Sequence, residues 1–494
     1  MSTIARFRWF WPQILGYKFG AGCTPLVALP LTQSPSCHAA LVKMQYSNLF
    51  LIRGTIWTIA AFVVGVLFRM ITSVALARLL APEFFGIMTI VNSIRQGVDL
   101  VSDVGIGQNI VHNPNAEDPL FYNTAWTLRL IRSVLLWLLC LVAAAPVAYF
   151  YEVPILLTVL PVTGLFFVIT ALGSVAPFLL RKRIQYVRQN VFNVAQAAFS
   201  AVAYILLAYL IPSLWALVFG SLVATAGQSI GSYFLLPNVH HKLQISREFA
   251  RQIFSYGRWV FISSIVFFLS MNFDRLYFGK VAVLSVVGVY GIARSLSELV
   301  GTLFFSLSEN IIFPLIAASQ TTPRDQLRSA LSIKRLSVLL FGGASIAAAT
   351  AIGDLVIRLL YDQRYQAAGW MLPLLLIGEW FALIAGINEW TLLGFGRPVY
   401  SAATNTCRFL WLLIGFPIGF THFGALGVVV VVASSNICRY IPTLVGLVRE
   451  KFSFAGQDIF ATLFTAGVLG LLELIRWSFG FGTSFDGLSA VILR

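Results

Sequence analysis

Charged side chains recur at helical spacing within a stretch that is otherwise apolar enough to enter a lipid bilayer. Residues 287–310, VGVYGIARSLSELVGTLFFSLSEN, contain Arg294, Glu298 and Glu309. A charged side chain at bilayer depth costs several kcal/mol, so such residues normally face protein or water and mark functional sites. Arginine binds phosphate and carboxylate groups through paired hydrogen bonds. The stretch therefore predicts a helix with one polar face that could bind an anion.

A second stretch, residues 85–103, repeats this arrangement. Each stretch has an arginine followed four residues later by an acid, as Arg95–Asp99 and Arg294–Glu298. One interpretation is that each pair neutralises itself on its own helix. The other is that the two polar faces oppose each other across a hydrated central cavity. Asp103 and Glu309 have no obvious partner on their own helices, which favours the cavity.

Two further arginines, Arg69 and Arg408, also lie deep inside apolar runs. Arginines near helix ends can extend to the membrane interface, and this alternative applies to Arg129, Arg132 and Arg439. A cavity rich in guanidinium groups predicts an anionic substrate. The candidate substrate-binding residues are Arg95, Arg294, Arg69 and Arg408.

The composition places the chain in a membrane. Of its 494 residues 58% are hydrophobic and only 11% are charged, and the mean hydropathy is +0.84, which indicates an integral membrane protein. The net charge of +15 does not require a nucleic-acid partner, because membrane proteins concentrate Lys and Arg in cytoplasmic loops. The five cysteines show neither paired nor zinc or haem spacing, so no metal or cofactor is expected.

Apolar runs of about 20 residues, the length that crosses the hydrocarbon core, follow one another through the chain. They lack the short alternating pattern of a transmembrane barrel, so the predicted fold is an all-α polytopic membrane protein. The last run is weaker than the others. The runs lie at 55–76, 84–111, 126–149, 154–179, 189–210, 213–236, 255–273, 283–313, 336–360, 370–393, 400–420, 424–447 and 459–477.

Basic residues predict the orientation of these helices. With the N-terminus in the cytoplasm, the inside segments contain 20 Lys and Arg residues and the outside loops contain 5. This distribution follows the positive-inside rule. The predicted topology places loops 181–188 and 237–254 in the cytoplasm and loops 149–154 and 274–283 outside.

The chain also resembles itself. Residues 85–98 resemble 287–300 at an offset of 202, and residues 151–162 resemble 365–376 at an offset of about 212. Six helices in each half give two parallel six-helix bundles related by a pseudo-twofold axis along the membrane normal, with a substrate site between them. The predicted parts are a basic N-terminal segment 1–54 with Met44 as an alternative start, lobes 55–237 and 255–448, a linker 238–254, and a thirteenth helix with the tail 449–494.

Two segments resemble a known family. Residues 271–296, MNFDRLYFGKVAVLSVVGVYGIARSL, resemble the seventh-to-eighth helix signature of Wzx-type polysaccharide flippases, and so do residues 75–91, ALARLLAPEFFGIMTIV. These flippases form the polysaccharide-transporter branch of the multidrug/oligosaccharidyl-lipid/polysaccharide exporter superfamily. The resemblance covers about residues 50–450. Many relatives have fourteen helices, whereas this chain has room for thirteen.

The resemblance implies a transporter and not an enzyme. It implies that the protein moves a polyprenyl-diphosphate-linked oligosaccharide from the cytoplasmic to the outer leaflet of a bacterial inner membrane by alternating access, alongside polysaccharide polymerase or export machinery. Arg95 and Arg294 would then line the lumen. Asp99, Asp103, Glu298 and Glu309 would either support a proton- or cation-coupled step or compensate the charge of the arginines, which is the simpler alternative.

Three other functions remain open at this point. A cation-coupled drug or metabolite antiporter of the same superfamily should have fewer lumen arginines and an acidic site. A membrane glycosyltransferase or ligase usually needs a sizeable outside loop or an Asp-x-Asp metal site, and the sequence contains neither. A structural partner of a polysaccharide synthase would leave the polar helix faces unexplained.

Overall fold

The computed structural model describes residues 48–102, 106–107, 110, 113–183, 185–308, 312, 316 and 323–488. The described residues form long helices without a strand, which confirms the all-α prediction. The helices are α1 (Asn48–Leu79), α2 (Pro82–Val101), α3 (Pro119–Tyr151), α4 (Leu156–Leu172), α5 (Ala176–Lys182), α6 (Tyr186–Leu210), α7 (Leu214–Tyr233), α8 (Arg247–Val281), α9 (Leu284–Leu307), α10 (Arg324–Leu360), α11 (Ala368–Gly394), α12 (Val399–Arg449) and α13 (Ala455–Ser478).

Prolines and glycines set the main helix ends and bends. Pro82 and Pro119 stand at the starts of α2 and α3, where a missing N–H costs no helical hydrogen bond. The two runs predicted at 400–420 and 424–447 are the two arms of α12, which bends at Gly424 with φ 56° and ψ −135°. Only glycine adopts this backbone conformation readily.

Nine helices of the described residues are long and apolar enough to cross a bilayer, or ten if the bent pair α4 and α5 counts as one span. The chain is therefore a multi-pass membrane protein. The helices α2 and α8 are not among the nine. Both carry charged residues along their length, and Asp274 and Arg275 of α8 belong to the polar network described below.

Residues 56–494 form one compact unit, and of residues 1–55 the structure describes only the helical start of α1. The division into lobes at 55–237 and 255–448 stays a prediction. The helix α8 begins at Arg247, inside the predicted linker 238–254, and continues to Val281, through most of the loop predicted at 274–283. Arg275, which we assigned to that external loop, is therefore a helical residue.

The helix α11 is the most buried of the nine candidate spans, since 72% of the residues in its apolar 18-residue stretch are buried inside the protein. It packs against α9, α10 and α12, and the site described below lies among α8, α9, α11 and α12. The predicted thirteenth helix, α13, packs against α10. Its Arg476 donates to Asp354 at 2.5 and 2.6 Å, and its Asp458 accepts from Arg335 at 2.6 Å. Two buried ion pairs thus attach α13 to α10 near both of its ends.

The segment before α8 is attached to the first half of the chain. Backbone N–H groups within residues 242–246 donate to the side chains of Asn123, Thr127 and Thr124 at 3.0 to 3.1 Å. The ring of His241 accepts a hydrogen bond from the backbone N–H of Val175 at 3.2 Å through Nε2. Because α8 starts directly after this segment, its first turn is held against α3 and the break between α4 and α5.

Candidate functional site

A polar cavity of about 460 Å³ lies among α8, α9, α11 and α12. This volume is within the range of small-molecule sites, which is about 300–1,000 Å³. The cavity extends along α11 from Glu379 to Leu393, close to the end of that helix at Gly394. Two of the four predicted substrate-binding arginines, Arg294 and Arg408, line it, and so does the predicted acid Glu298.

Arg294 lies at the deep end of the cavity and is surrounded by acids. Its Nη1 donates to Glu379 Oε1 at 3.1 Å, and its Nε lies 3.3 Å from Glu298 Oε1 and 3.5 Å from Asp274 Oδ2. Only 4% of Arg294 is exposed. A buried charge is stable only when it is paired and hydrogen-bonded. The three carboxylates thus account for the position of this guanidinium without a bound anion.

The acids around Arg294 have further partners. Arg275 donates to both carboxylate oxygens of Glu298 at 2.6 Å, and Tyr290 donates to Asp274 at 2.5 Å. The predicted pair of Arg294 with Glu298 is present, but it belongs to a larger network that joins α8, α9 and α11. Its members Arg294, Glu298 and Glu379 line the cavity and form its floor.

Arg408, on the first arm of α12, is different. It is 3% exposed, and its hydrogen bond in the structure goes to the sulfur of Met271 at 3.2 Å. Its Nε has no hydrogen-bond partner, and no carboxylate of the described residues lies within 4 Å of its guanidinium. Because a buried cation without a hydrogen-bonded carboxylate is costly, the guanidinium of Arg408 is suited to an anionic ligand in the cavity.

The rim of the cavity, nearer the end of α11, holds aromatic and hydrogen-bonding groups. Glu389 accepts from Arg439 at 3.0 Å and from the hydroxyl of Ser401. The rings of Trp390 and Phe305 meet edge to face with their centroids 5.4 Å apart. All five side chains line the cavity.

The first half of the chain arranges its charges differently from the prediction. Asp99 accepts from Arg132 at 2.7 Å, so its ion pair in the structure is with α3 and not with Arg95. Arg95 instead lies over the ring of Phe166, with its guanidinium carbon 4.0 Å from the ring centroid. This cation–π contact forms because the side chain of Arg95 points towards α4.

The remaining predicted site residues lie away from the cavity or outside the described residues. Arg69 is exposed on α1, and neither Arg69 nor Arg95 lines the cavity. Asp103 and Glu309 lie outside the described residues. The cavity is enclosed by helices of the second half alone, so the opposition of Arg95 and Arg294 across a shared central cavity stays a prediction.

Three residues of the network were missed by the sequence analysis. Asp274 and Arg275 follow an apolar run that ends at residue 273, and we placed them in a loop. Glu379 is one of two acids in the apolar run 370–393, the other being Glu389, and a charge in such a run is itself a signal of a functional position. No group of acids, cysteines and histidines among the described residues could hold a metal ion.

Comparison with known proteins shows that the chain is similar to polysaccharide biosynthesis proteins. Residues 75–369 match the family described as "Polysaccharide biosynthesis protein". The succinoglycan biosynthesis transport protein ExoT of Rhizobium meliloti (strain 1021) is 24% identical over 249 residues, which are 50% of this chain and 49% of ExoT. The lipopolysaccharide biosynthesis protein WzxC of Escherichia coli (strain K12) is 20% identical over 383 residues, 76% of each chain. The chain thus spans only about half the length of ExoT.

Two solved structures share the fold. The lipid II flippase MurJ in an inward closed conformation has a TM-score of 0.66 at 14% identity, covering 90% of this chain and 96% of MurJ. An inward-facing multidrug resistance MATE family transporter has a TM-score of 0.62 at 15% identity, covering 82% of this chain and 98% of that transporter. At these identities the likeness concerns the fold.

Proposed function

The chain belongs to the family of polysaccharide biosynthesis proteins, and on that premise we propose that it is a flippase for a lipid-linked saccharide. Its substrate would be a polyprenyl-diphosphate-linked oligosaccharide, carried from the cytoplasmic to the outer leaflet of a bacterial inner membrane. The N-terminus would lie in the cytoplasm. A polysaccharide polymerase or export machinery would receive the product, and the protein itself would catalyse no reaction.

The transport problem has two parts. The diphosphate and the sugars cannot cross hydrocarbon, because an unpaired charge or an unsatisfied hydroxyl is costly there. The prenyl tail, in contrast, is stable in the bilayer. A polar cavity among transmembrane helices can carry the head group while the tail stays in lipid. Rocking of one half of the chain against the other would expose the cavity to each side in turn.

The observation that carries the proposal is Arg408. It is a buried guanidinium that lines the cavity without a carboxylate partner in the described residues. The planar guanidinium of arginine binds a phosphate through two parallel hydrogen bonds, and pairing with a diphosphate would compensate the buried charge. We assign Arg408 to the diphosphate and Arg294 to the floor that positions the cavity walls.

The acids of the cavity support charge compensation over ion coupling. Glu298 and Glu379 both pair with Arg294, and Glu389 pairs with Arg439. In the first half Asp99 pairs with Arg132. An antiporter that exchanges a cation for its substrate would need an acid that can release its partner. The arrangement therefore favours the flippase over the antiporter of the same superfamily.

The proposal is tested by complementation of a bacterial strain that lacks its own flippase, with membrane abundance of the protein measured in parallel. Arg408→Ala should keep its abundance and lower polymer export at least about tenfold, the equivalent of 1.4 kcal/mol. Arg408→Lys should recover only part of the export, because the compact ammonium group of lysine cannot form the two parallel hydrogen bonds of a guanidinium. Cys407→Ala, the neighbouring and exposed residue, is the matched control.

Transport itself is then measured with the full chain in liposomes that contain a fluorescent saccharide-bearing polyprenyl diphosphate. Wild-type protein should move the label between leaflets, and Arg408→Ala should not. Absence of transport by the wild-type protein in both assays would contradict the flippase proposal. Normal export by Arg408→Ala would show that a residue other than Arg408 binds the diphosphate.

A further inference from the structure

The rim of the cavity carries groups that suit a sugar. Trp390 and Phe305 contribute two aromatic rings at 66° to each other. Phe305 is 48% exposed, although it lines the cavity. The C–H faces of a pyranose ring are apolar and pack against aromatic rings, whereas its hydroxyl groups need hydrogen-bonding partners at the ring edge.

Such partners line the cavity beside Trp390. Glu389 accepts from Arg439 at 3.0 Å and from the hydroxyl of Ser401, and the Nε of Arg439 is buried without a hydrogen-bond partner. A buried donor without an acceptor costs free energy unless a ligand or water supplies one. A hydroxyl oxygen of a bound sugar could accept from this Nε.

The spacing along the helices separates the two kinds of group. Trp390 lies about one turn before α11 ends at Gly394, and Arg408 lies between two and three turns after α12 starts at Val399. Because α11 and α12 run in opposite directions from their short connection, Arg408 is about 8 Å deeper than Trp390 at 1.5 Å per residue. A sugar bonded directly to a phosphate spans this kind of distance.

We propose that the cavity is a glycosyl diphosphate site, in which Arg408 binds the phosphate and Trp390 and Phe305 bind the first sugar. This inference rests on the proposed function and specifies which part of the substrate the site recognises. At about 460 Å³ the cavity admits one sugar with its diphosphate and leaves the more distant sugars outside. The protein therefore selects its substrate by the sugar at the diphosphate end.

The test uses the purified full chain and two ligands, polyprenyl diphosphate and the same lipid carrying one hexose. Trp390→Ala should weaken binding of the hexose-bearing lipid about tenfold and change binding of the bare diphosphate less than about twofold. Arg408→Ala should weaken both at least about tenfold. Phe305→Ala repeats the test at a more exposed position, where loss of the ring disturbs folding less. Trp411→Ala, on the same helix as Arg408 but outside the cavity, should change neither.

Equal effects of Trp390→Ala and Phe305→Ala on both ligands, or no effect on either, would overturn the sugar assignment. That result would leave the flippase proposal in place if the wild-type protein transports its lipid. Conversely, hexose-dependent binding without transport by the wild-type protein would support this site and contradict the flippase proposal. The two failures are thus distinguishable.

Discussion

Gly86 of α2 and Gly288 of α9 lie in direct backbone contact, and they are separated by the same 202 residues that relate the two halves of the sequence. A Cβ on Gly86 would lie 2.1 Å from the carbonyl oxygen of Leu284, and a Cβ on Gly288 would lie 2.0 Å from that of Pro82. Pro82 and Leu284 are also separated by 202 residues. Reciprocal contacts between equivalent positions are what a twofold relation produces, and they support the predicted repeat.

Side chains at this crossing should force α2 and α9 apart. We expect Gly86→Ala or Gly288→Ala to lower the free energy of unfolding by roughly 1–3 kcal/mol or more, because the neighbouring atoms are backbone and cannot move aside. Thermal unfolding of the purified protein measures this loss. Export should fall as well. Gly467→Ala in α13, where a Cβ would meet nothing within 4 Å, is the control and should leave both unchanged. Full stability of both variants would mean that the crossing is looser than the structure shows.

The role of Arg294 can be separated from that of Arg408 by protein abundance. Arg294→Ala leaves Asp274 and Glu379 buried without this cation, which should cost about 3–5 kcal/mol and lower the membrane level of the protein. Arg408→Ala leaves no paired acid behind and should keep its level.

A double substitution tests the same point by rescue. Glu379 has its hydrogen bond from Arg294, whereas Glu298 also has Arg275. Arg294→Gln with Glu379→Gln should therefore restore the membrane level that Arg294→Gln alone reduces, as immunoblotting of membranes would show. If Arg294→Ala instead reached a normal membrane level and lost export, Arg294 would be a residue that contacts the substrate.

The orientation can be tested by labelling. Single cysteines at Gln185, in the turn before α6, and at Val283, which is 71% exposed between α8 and α9, are introduced into a cysteine-free background. A membrane-impermeant thiol reagent added to intact cells should label position 283 and not position 185. Permeabilised cells, in which both positions should react, provide the control. The opposite labelling pattern would show that the topology is the inverse of the predicted one.

Acid should loosen the segment that precedes α8. Burial, and then the positive charges of Arg129 and His240, lower the pKa of His241 to about 4. The folded protein thus holds this ring neutral where an unfolded chain, with a pKa near 6.5, would bind a proton. Stability from this group is complete above about pH 6.5 and declines as the pH falls towards 4.

Hydrogen exchange measures this effect directly. Amides of residues 242–246 should exchange faster, after correction for the intrinsic rate, at pH 5 than at pH 7. His241→Phe keeps an aromatic ring but cannot accept a hydrogen bond from Val175, so the amides of residues 242–246 should exchange fast at both pH 5 and pH 7. His240→Gln removes only the smallest of the three causes of the lowered pKa of His241, so its exchange should depend on pH nearly as in the wild type. A pH-independent exchange pattern in the wild-type protein would show that His241 does not hold the segment.

Local patterns in the sequence were enough to predict the membrane class, the helical fold and the charged positions. Apolar runs of bilayer length and the rarity of charge require helices, because only helices or closed barrels satisfy backbone groups in lipid. Arg294 with Glu298 and Arg408 stood out for the same reason. These properties depend on composition and on spacing within one helix, and both can be read along the chain.

The partners of those charges were decided by the tertiary structure. Asp99 bonds to Arg132 of α3, and Glu379 of α11 reaches Arg294, although 33 and 85 residues separate the members of these pairs. Helical spacing shows which residues share a face, but it cannot show which helix packs against that face. Arg408 was therefore only one of four candidate arginines in the sequence. Its lack of a carboxylate partner became visible when the surrounding helices were in place.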